Sequence, residues 1–103
     1  MTTLRDIRCL AQHIAREFKP RRIILFGSHA YGKPDDDSDV DLLVLMPYQG
    51  HAARLAGEIL LETDPVFPVD IMVRSPDEVR KRYRRGDAFT REIIDRGRVL
   101  YEA

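Results

Sequence analysis

Residues 24–46 read ILFGSHAYGKPDDDSDVDLLVLM and decide the fold. An apolar, β-branched run from Arg22 to Phe26 stops at Gly27, which predicts a short buried strand followed by a turn. The next stretch is rich in turn-forming and acidic residues and predicts a loop with at most one helical turn. The apolar run Val40–Met46 then predicts a second buried strand, closed by Pro47.

Helices are predicted before, between and after the strands. Apolar residues recur at helical spacing from Leu4 to Phe18 and again from His51 to Glu62. Val69–Val73 predicts a third strand, and a capping-box pattern with proline begins a further helix at Ser75. The last predicted elements are a helix from Asp87 to Arg96 and a short extended tail, Arg98–Glu102. The pattern predicts one α/β domain over residues 1–103, with a small mixed or antiparallel sheet of three or slightly more strands flanked by helices.

Composition limits the class of protein. The 103 residues carry 17 basic and 17 acidic side chains, and this balance argues against a protein that coats nucleic acid, so direct nucleic-acid binding is not expected. The single cysteine, Cys9, excludes an internal disulfide and favours a reducing compartment. The longest apolar run is far shorter than a membrane span. We therefore expect a soluble, cytoplasmic protein with no membrane contact.

Three acidic residues form a candidate metal site. Asp39 and Asp41 stand two positions apart at the start of the second strand, so their side chains share one face, about 6–7 Å apart. Carboxylates at that spacing can converge on one hard cation such as Mg²⁺. Asp70 lies in the otherwise apolar run VDIMV. If that strand neighbours the second, Asp70 joins the other two and completes a two-metal site.

Gly27 and Ser28 form a candidate phosphate-binding turn directly after the first strand. A glycine permits close approach of the backbone to a ligand, and the following amides and hydroxyl can donate to phosphate oxygens. Neither Gly-Ser nor Asp-x-Asp is specific alone. The combined pattern G-S-x₁₀-D-x-D has a chance frequency of roughly one in a thousand for a chain of this size, and here it spans two predicted strands.

The stretch 24–46 resembles the signature of the DNA polymerase β-like nucleotidyltransferase superfamily, and most closely that of the minimal nucleotidyltransferase (MNT) domain proteins. The closing REIIDRGRVLYE, residues 91–102, is also similar to the MNT ending. The resemblance implies metal-dependent transfer of AMP from ATP to a hydroxyl group. It further implies that Gly27 and Ser28 bind the triphosphate, and that Asp39, Asp41 and Asp70 are catalytic and bind one or two Mg²⁺ ions. Tyr31 stands where many MNT proteins have arginine, so no phosphate contact is predicted there.

The resemblance also implies a biological role. MNT proteins commonly pair with a HEPN-domain RNase toxin and act as its antitoxin, which implies a hetero-oligomer and adenylylation of a tyrosine on the partner. Two alternatives stay open: a binding-only antitoxin that masks its partner without catalysis, and nucleotidyl transfer to a small molecule such as an aminoglycoside.

Other polar groups have simpler interpretations. Asp35, Asp36 and Asp37 are interpreted as a solvated turn capped by Ser38. The basic run 80–85, RKRYRR, is interpreted as a solvated or partner-facing helix surface. The three histidines have no zinc-ligand spacing, and the tyrosines Tyr31 and Tyr101 are expected to be packing groups.

Overall fold

The computed structural model describes residues 2–35 and 37–103. Its elements in chain order are α1 Leu4–Phe18, β1 Arg22–Phe26, α2 Ser28–Tyr31, β2 Val40–Leu45, α3 Ala52–Thr63, β3 Val69–Arg74, α4 Pro76–Arg84, α5 Ala88–Arg96 and β4 Arg98–Glu102. Each predicted helix and strand is present, with ends that differ by one or two residues. The extended tail is a true strand, β4, which pairs with β1.

The four strands form one mixed sheet in the order β3-β2-β1-β4. β1 runs antiparallel to both β2 and β4, whereas β2 and β3 are parallel. Parallel neighbours need a long connection, and α3 supplies it between β2 and β3. The predicted α/β class with a small mixed sheet is confirmed, and β3 does lie beside β2.

Helices cover both faces of the sheet. α1 and α3 pack on one face over a core that includes Ile7, Ile14 and Ile59. α4 and α5 pack on the other face, where Val79 and Ile93 meet alternate residues of β1 and β2. A strand covered on both faces is apolar at nearly every position, which explains the unbroken run in β2.

Two capping boxes fix the starts of helices. Ser75 and Glu78 form the box predicted for α4, and Thr3 and Asp6 form a second one at α1. Tyr48 also donates a hydrogen bond of 2.7 Å to Glu78, which ties the start of α4 to the loop after β2. None of the helices in ranges 2–35 and 37–103 is long and apolar enough to cross a bilayer.

Gly97 sits between α5 and the sheet and has no room for a side chain. A Cβ added there would collide with the Ile93 carbonyl oxygen and lie 2.6 Å from Ile24 Cγ2. Gly57, in the middle of α3, has nothing within 4 Å of the same position.

Alanine substitutions at these two glycines are expected to change the free energy of unfolding in opposite directions. Gly97→Ala is expected to lower the free energy of unfolding by about 1–3 kcal/mol, because α5 must shift away from β1. Gly57→Ala is expected to raise it by about 0.4–1 kcal/mol, because alanine favours the helix and meets no neighbour. Urea denaturation measures both values. An unchanged Gly97→Ala protein would show that α5 does not pack so closely on β1.

Candidate active site

The register of three strands places two of the predicted acids side by side. Phe26 of β1 pairs with Asp41 of β2, and Asp41 pairs in turn with Asp70 of β3. Paired residues on neighbouring strands point to the same face of a sheet. We call these three paired residues, the two acids Asp41 and Asp70 together with Phe26 beside them, the carboxylate row. It lies on the face covered by α4 and α5, at the end of the sheet where β1 stops and β2 and β3 begin.

The third acid, Asp39, lies one residue before β2 and is exposed, as is Asp70, whereas Asp41 is half-buried. In the described part of the chain, no three His, Cys, Asp or Glu side chains are already arranged to hold a metal ion. Like charges oppose convergence of three carboxylates when no cation is near. Asp41 and Asp70 are in register, and Asp39 precedes β2 at the same end of the sheet.

Electrostatics links the three acids. Burial raises the pKa of the Asp41 carboxyl above its usual range, and the negative charges of Asp70 and Asp39 raise this pKa further. The His29 side chain acts in the opposite direction and lowers the same pKa. The folded chain therefore holds negative charge here at an electrostatic cost, and a bound cation would relieve it.

Gly27 lies directly against Asp41. Its φ of +76° is a conformation that glycine adopts freely and other residues adopt at a cost. A Cβ at this position would also collide with the Asp41 carboxylate oxygen Oδ2. The predicted phosphate-binding turn is therefore in contact with Asp41, one of the three predicted metal ligands.

Ser28 begins the one-turn helix α2, and Gly27 accepts the hydrogen bonds of the Ala30 and Tyr31 amides. The first amides of a helical turn have no acceptor within the turn itself, so they can point at an anion. Ser28 is half-buried next to them. The backbone and hydroxyl donors of this turn thus stand beside the acidic end of β2.

Two local contacts shape the loop between the phosphate-binding turn and Asp39. The His29 ring contacts the Ser38 carbonyl oxygen through Nε2 at 3.2 Å, which ties the start of the loop to its end. Asp35 accepts hydrogen bonds from the Asp37 amide and the Ser38 hydroxyl, so the solvated turn is confirmed for Asp35 and Asp37. Asp36 lies outside the described residues.

The donor chemistry fits a divalent metal. All three acids offer carboxylate oxygens, which Mg²⁺ prefers, and a cation would oppose both the burial and the neighbouring negative charges that raise the pKa of Asp41. Asp39, Asp41 and Asp70 are the side chains that would hold it.

Comparisons with known proteins identify the family of the chain. A family model for the nucleotidyltransferase domain matches residues 7–100. The chain belongs to the nucleotidyltransferase domain family. A protein of Methanocaldococcus jannaschii described as a protein adenylyltransferase is 32% identical over 82 residues, which cover 79% of this chain and 78% of that one. The family predicted from residues 24–46 is confirmed.

Two solved structures share the nucleotidyltransferase fold. One is a protein of Sulfolobus solfataricus described as a nucleotidyltransferase, with a TM-score of 0.60 at 21% identity, covering 76% of this chain and 71% of the other. The second is a mutant of the toxin-antitoxin MntA-HpeT, with a TM-score of 0.57 at 18% identity, covering 93% and 73%. At these identities the likeness concerns the fold.

Two further groups of this nucleotidyltransferase domain that the sequence singled out are Tyr31 and the basic run 80–85. The guanidinium carbon of Arg96 lies 4.5 Å from the centre of the Tyr31 ring, so Tyr31 of α2 packs against α5. Arg80 and Arg84 of the basic run border a depression of about 370 Å³, together with Arg21 and Arg22. That depression is at the opposite end of the sheet from the carboxylates.

Sequence reasoning missed two features of this site. The contact between His29 and Ser38 joins residues nine apart through a ring nitrogen, and no periodic pattern signals it. Phe89 of α5 stands edge-on to Phe26, with ring centres 5.8 Å apart, and 53% of the residue is exposed. Its spacing of four from Ile93 is typical of a core position, so the sequence gives no signal of exposure.

Gly27→Ala is expected to abolish binding of a nucleoside triphosphate, because the new methyl group displaces Asp41. Isothermal titration calorimetry with Mg²⁺ and ATP measures the loss. Gly50→Ala is the control, since Gly50 has a similar φ of +79° but open space around it. Both variants carry backbone strain of about 1 kcal/mol, and Gly50→Ala alone should retain binding. Equal loss in both would show that strain, not the contact with Asp41, is responsible.

Asp70→Asn is expected to lower the pKa of Asp41 toward its ordinary value in the metal-free protein, because Asp70 is the larger of the two acidic neighbours that raise it. Carbon-detected NMR titration of the Asp41 carboxyl measures this, with Asp95→Asn as the control.

The same shift fixes a pH dependence. The folded state binds the proton of the Asp41 carboxyl more tightly than the unfolded chain does. Protonation of Asp41 therefore adds to the free energy of unfolding, and this addition is complete below a pH of about 4. It is lost as the pH rises through the raised pKa of Asp41. An Asp41 pKa that does not respond to Asp70→Asn would contradict the proximity of the two carboxylates.

Proposed function

We propose that this nucleotidyltransferase domain transfers AMP from ATP to a tyrosine hydroxyl of a partner HEPN-type RNase toxin and so acts as its antitoxin. The observation that carries the proposal is the contact of Asp41 with Gly27 on one side and its register with Asp70 on the other. The M. jannaschii relative, described as a protein adenylyltransferase, and the toxin-antitoxin MntA-HpeT fold relative support the choice of a protein acceptor. The reaction consumes ATP, and we assign it to the cytoplasm.

The phosphates of ATP are assigned to the turn at Gly27 and Ser28. Backbone amides and a hydroxyl there donate to phosphate oxygens, and the absence of a Cβ at Gly27 leaves room for Asp41 and the ligand together. Nucleotidyltransferases generally use a divalent metal, and we propose one or two Mg²⁺ ions held by Asp39, Asp41 and Asp70. When bound, the metal neutralises negative charge that develops on the reacting phosphate and on pyrophosphate.

Asp70 is assigned to the acceptor side of the site. It is exposed and belongs to β3, which is an edge strand of the sheet, whereas the proposed phosphate-binding turn follows the inner strand β1. An incoming protein hydroxyl can therefore reach Asp70 from the sheet edge while the triphosphate lies toward β1. The oxygen of the hydroxyl forms a bond to the α-phosphorus, the bond to the pyrophosphate oxygen breaks, and the hydroxyl proton is released to Asp70 or water.

The proposal is tested by incubating the chain with ATP, Mg²⁺ and its HEPN partner and measuring the intact mass of the partner. The wild-type chain is expected to add one adenylyl group and abolish the RNase activity. Asp39→Ala with Asp41→Ala is expected to reduce the rate of modification by at least about 10³-fold, because the metal ligands are lost.

Asp37→Ala with Glu62→Ala removes two acidic charges from exposed positions and should leave the modification unchanged. A wild-type chain that adds no adenylyl group would contradict the proposal. Full neutralisation of the partner by the Asp39 and Asp41 double variant would identify a binding-only antitoxin.

A further inference from the structure

Phe89 is a large aromatic side chain that the fold leaves half-exposed beside the carboxylate row. It is the second residue of α5, and it packs edge-on against Phe26 with an angle of 83° between the rings. Phe26 is the residue before Gly27 and the register partner of Asp41. The ring of Phe89 is therefore one packing contact away from both the phosphate-binding turn and the acids.

A small cavity next to Phe89 also shows where the ring lies relative to the sheet. Phe89 borders a small cavity of about 40 Å³ that also involves Leu43 and Met72. These two residues are paired with each other and stand two positions further along the strands than Asp41 and Asp70, on the same face. Phe89 thus lies at the boundary between the apolar core under α4 and α5 and the acidic end of the sheet.

The exposure of this ring is not explained by packing. In ranges 2–35 and 37–103, the other exposed large apolar residues are aliphatic and lie in α1, α3, β4 and the segment before β3, namely Leu4, Leu61, Val99 and Val66. Phe89 is the aromatic member of this set, and its ring contacts Phe26 of the carboxylate row. A ring that is half in water beside a polar site is the surface on which a flat, apolar part of a ligand can pack.

We propose that Phe89 packs against the nucleoside of the bound triphosphate, an inference that rests on the proposed function. The phosphates carry charge and bind amides, hydroxyls and cations, none of which a phenyl ring offers. The nucleoside is the part of the triphosphate with an apolar π-face, and aromatic side chains bind such faces by stacking. Because Phe89 rests on the residue that precedes Gly27, it stands within reach of a nucleotide whose phosphates occupy that turn.

The experiment compares two ligands by calorimetry in the presence of Mg²⁺: ATP, and inorganic tripolyphosphate, which lacks the nucleoside. Phe89→Ala is expected to weaken ATP binding about tenfold and to leave tripolyphosphate binding unchanged, as the loss of one aromatic stack predicts. Phe89→Tyr keeps the ring and should bind both ligands as the wild type does. Leu61→Ala, on the opposite face of the sheet, is the control for loss of an exposed apolar side chain.

Phe89→Leu separates stacking from packing. Leucine retains apolar contact with Phe26 but has no flat ring, so it is expected to show the same selective loss of ATP affinity in a protein of near wild-type Tm. Equal weakening of ATP and tripolyphosphate would overturn the proposal, since Phe89 would then act by supporting the Gly27 turn. Unchanged ATP affinity with a raised KM for the acceptor protein would also overturn it in favour of an acceptor contact. A wild-type chain that binds neither ligand would refute the proposed function itself, and the role of Phe89 with it.

Discussion

The contact between the Asp41 carboxylate and the backbone of Gly27 is the constraint on which the rest of the site depends. It exists because β1 and β2 are antiparallel neighbours, so that the end of one strand meets the start of the other. No other residue type satisfies both the positive φ and the lack of space at position 27. The turn proposed to bind phosphate and the first acid of β2 are thus a single structural unit built from two adjacent strands.

The negative charge at the contact between Gly27 and Asp41 has an electrostatic cost, and burial of apolar residues elsewhere in the fold offsets this cost. Burial, and after it the negative charges of Asp70 and Asp39, disfavour the charged form of Asp41 in the metal-free protein and so raise its pKa. The opposing contribution comes from β1 and β2, whose apolar residues are buried between helices on both faces. Local conflict of this kind is common at sites where a ligand supplies the missing charge.

Much of this arrangement could be predicted from the sequence, because its signals are local. The bounds of β1 follow from an apolar run that ends in glycine. The spacing of Asp39 and Asp41 predicts that they share one face. The pairing of Asp41 with Asp70 could be predicted only on the condition that β3 lies beside β2, because strand order and register depend on contacts distant in sequence. The position of Phe89 beside the carboxylate row could not be predicted for the same reason. Helical periodicity predicts which face of α5 is apolar, but the tertiary packing decides that the end of this face stands beside the carboxylate row.

The most direct test of this account is a titration of Mn²⁺ with ATP into isotope-labelled protein, followed by the paramagnetic broadening of backbone amide signals. A metal–nucleotide complex held between the Gly27 turn and the acids broadens the signals of Ser28, Asp41 and Asp70 first. The account would be contradicted if the signals of Ser28, Asp41 and Asp70 were unaffected. Broadening would then be centred on the glutamates of α1 and α3, namely Glu17, Glu58 and Glu62.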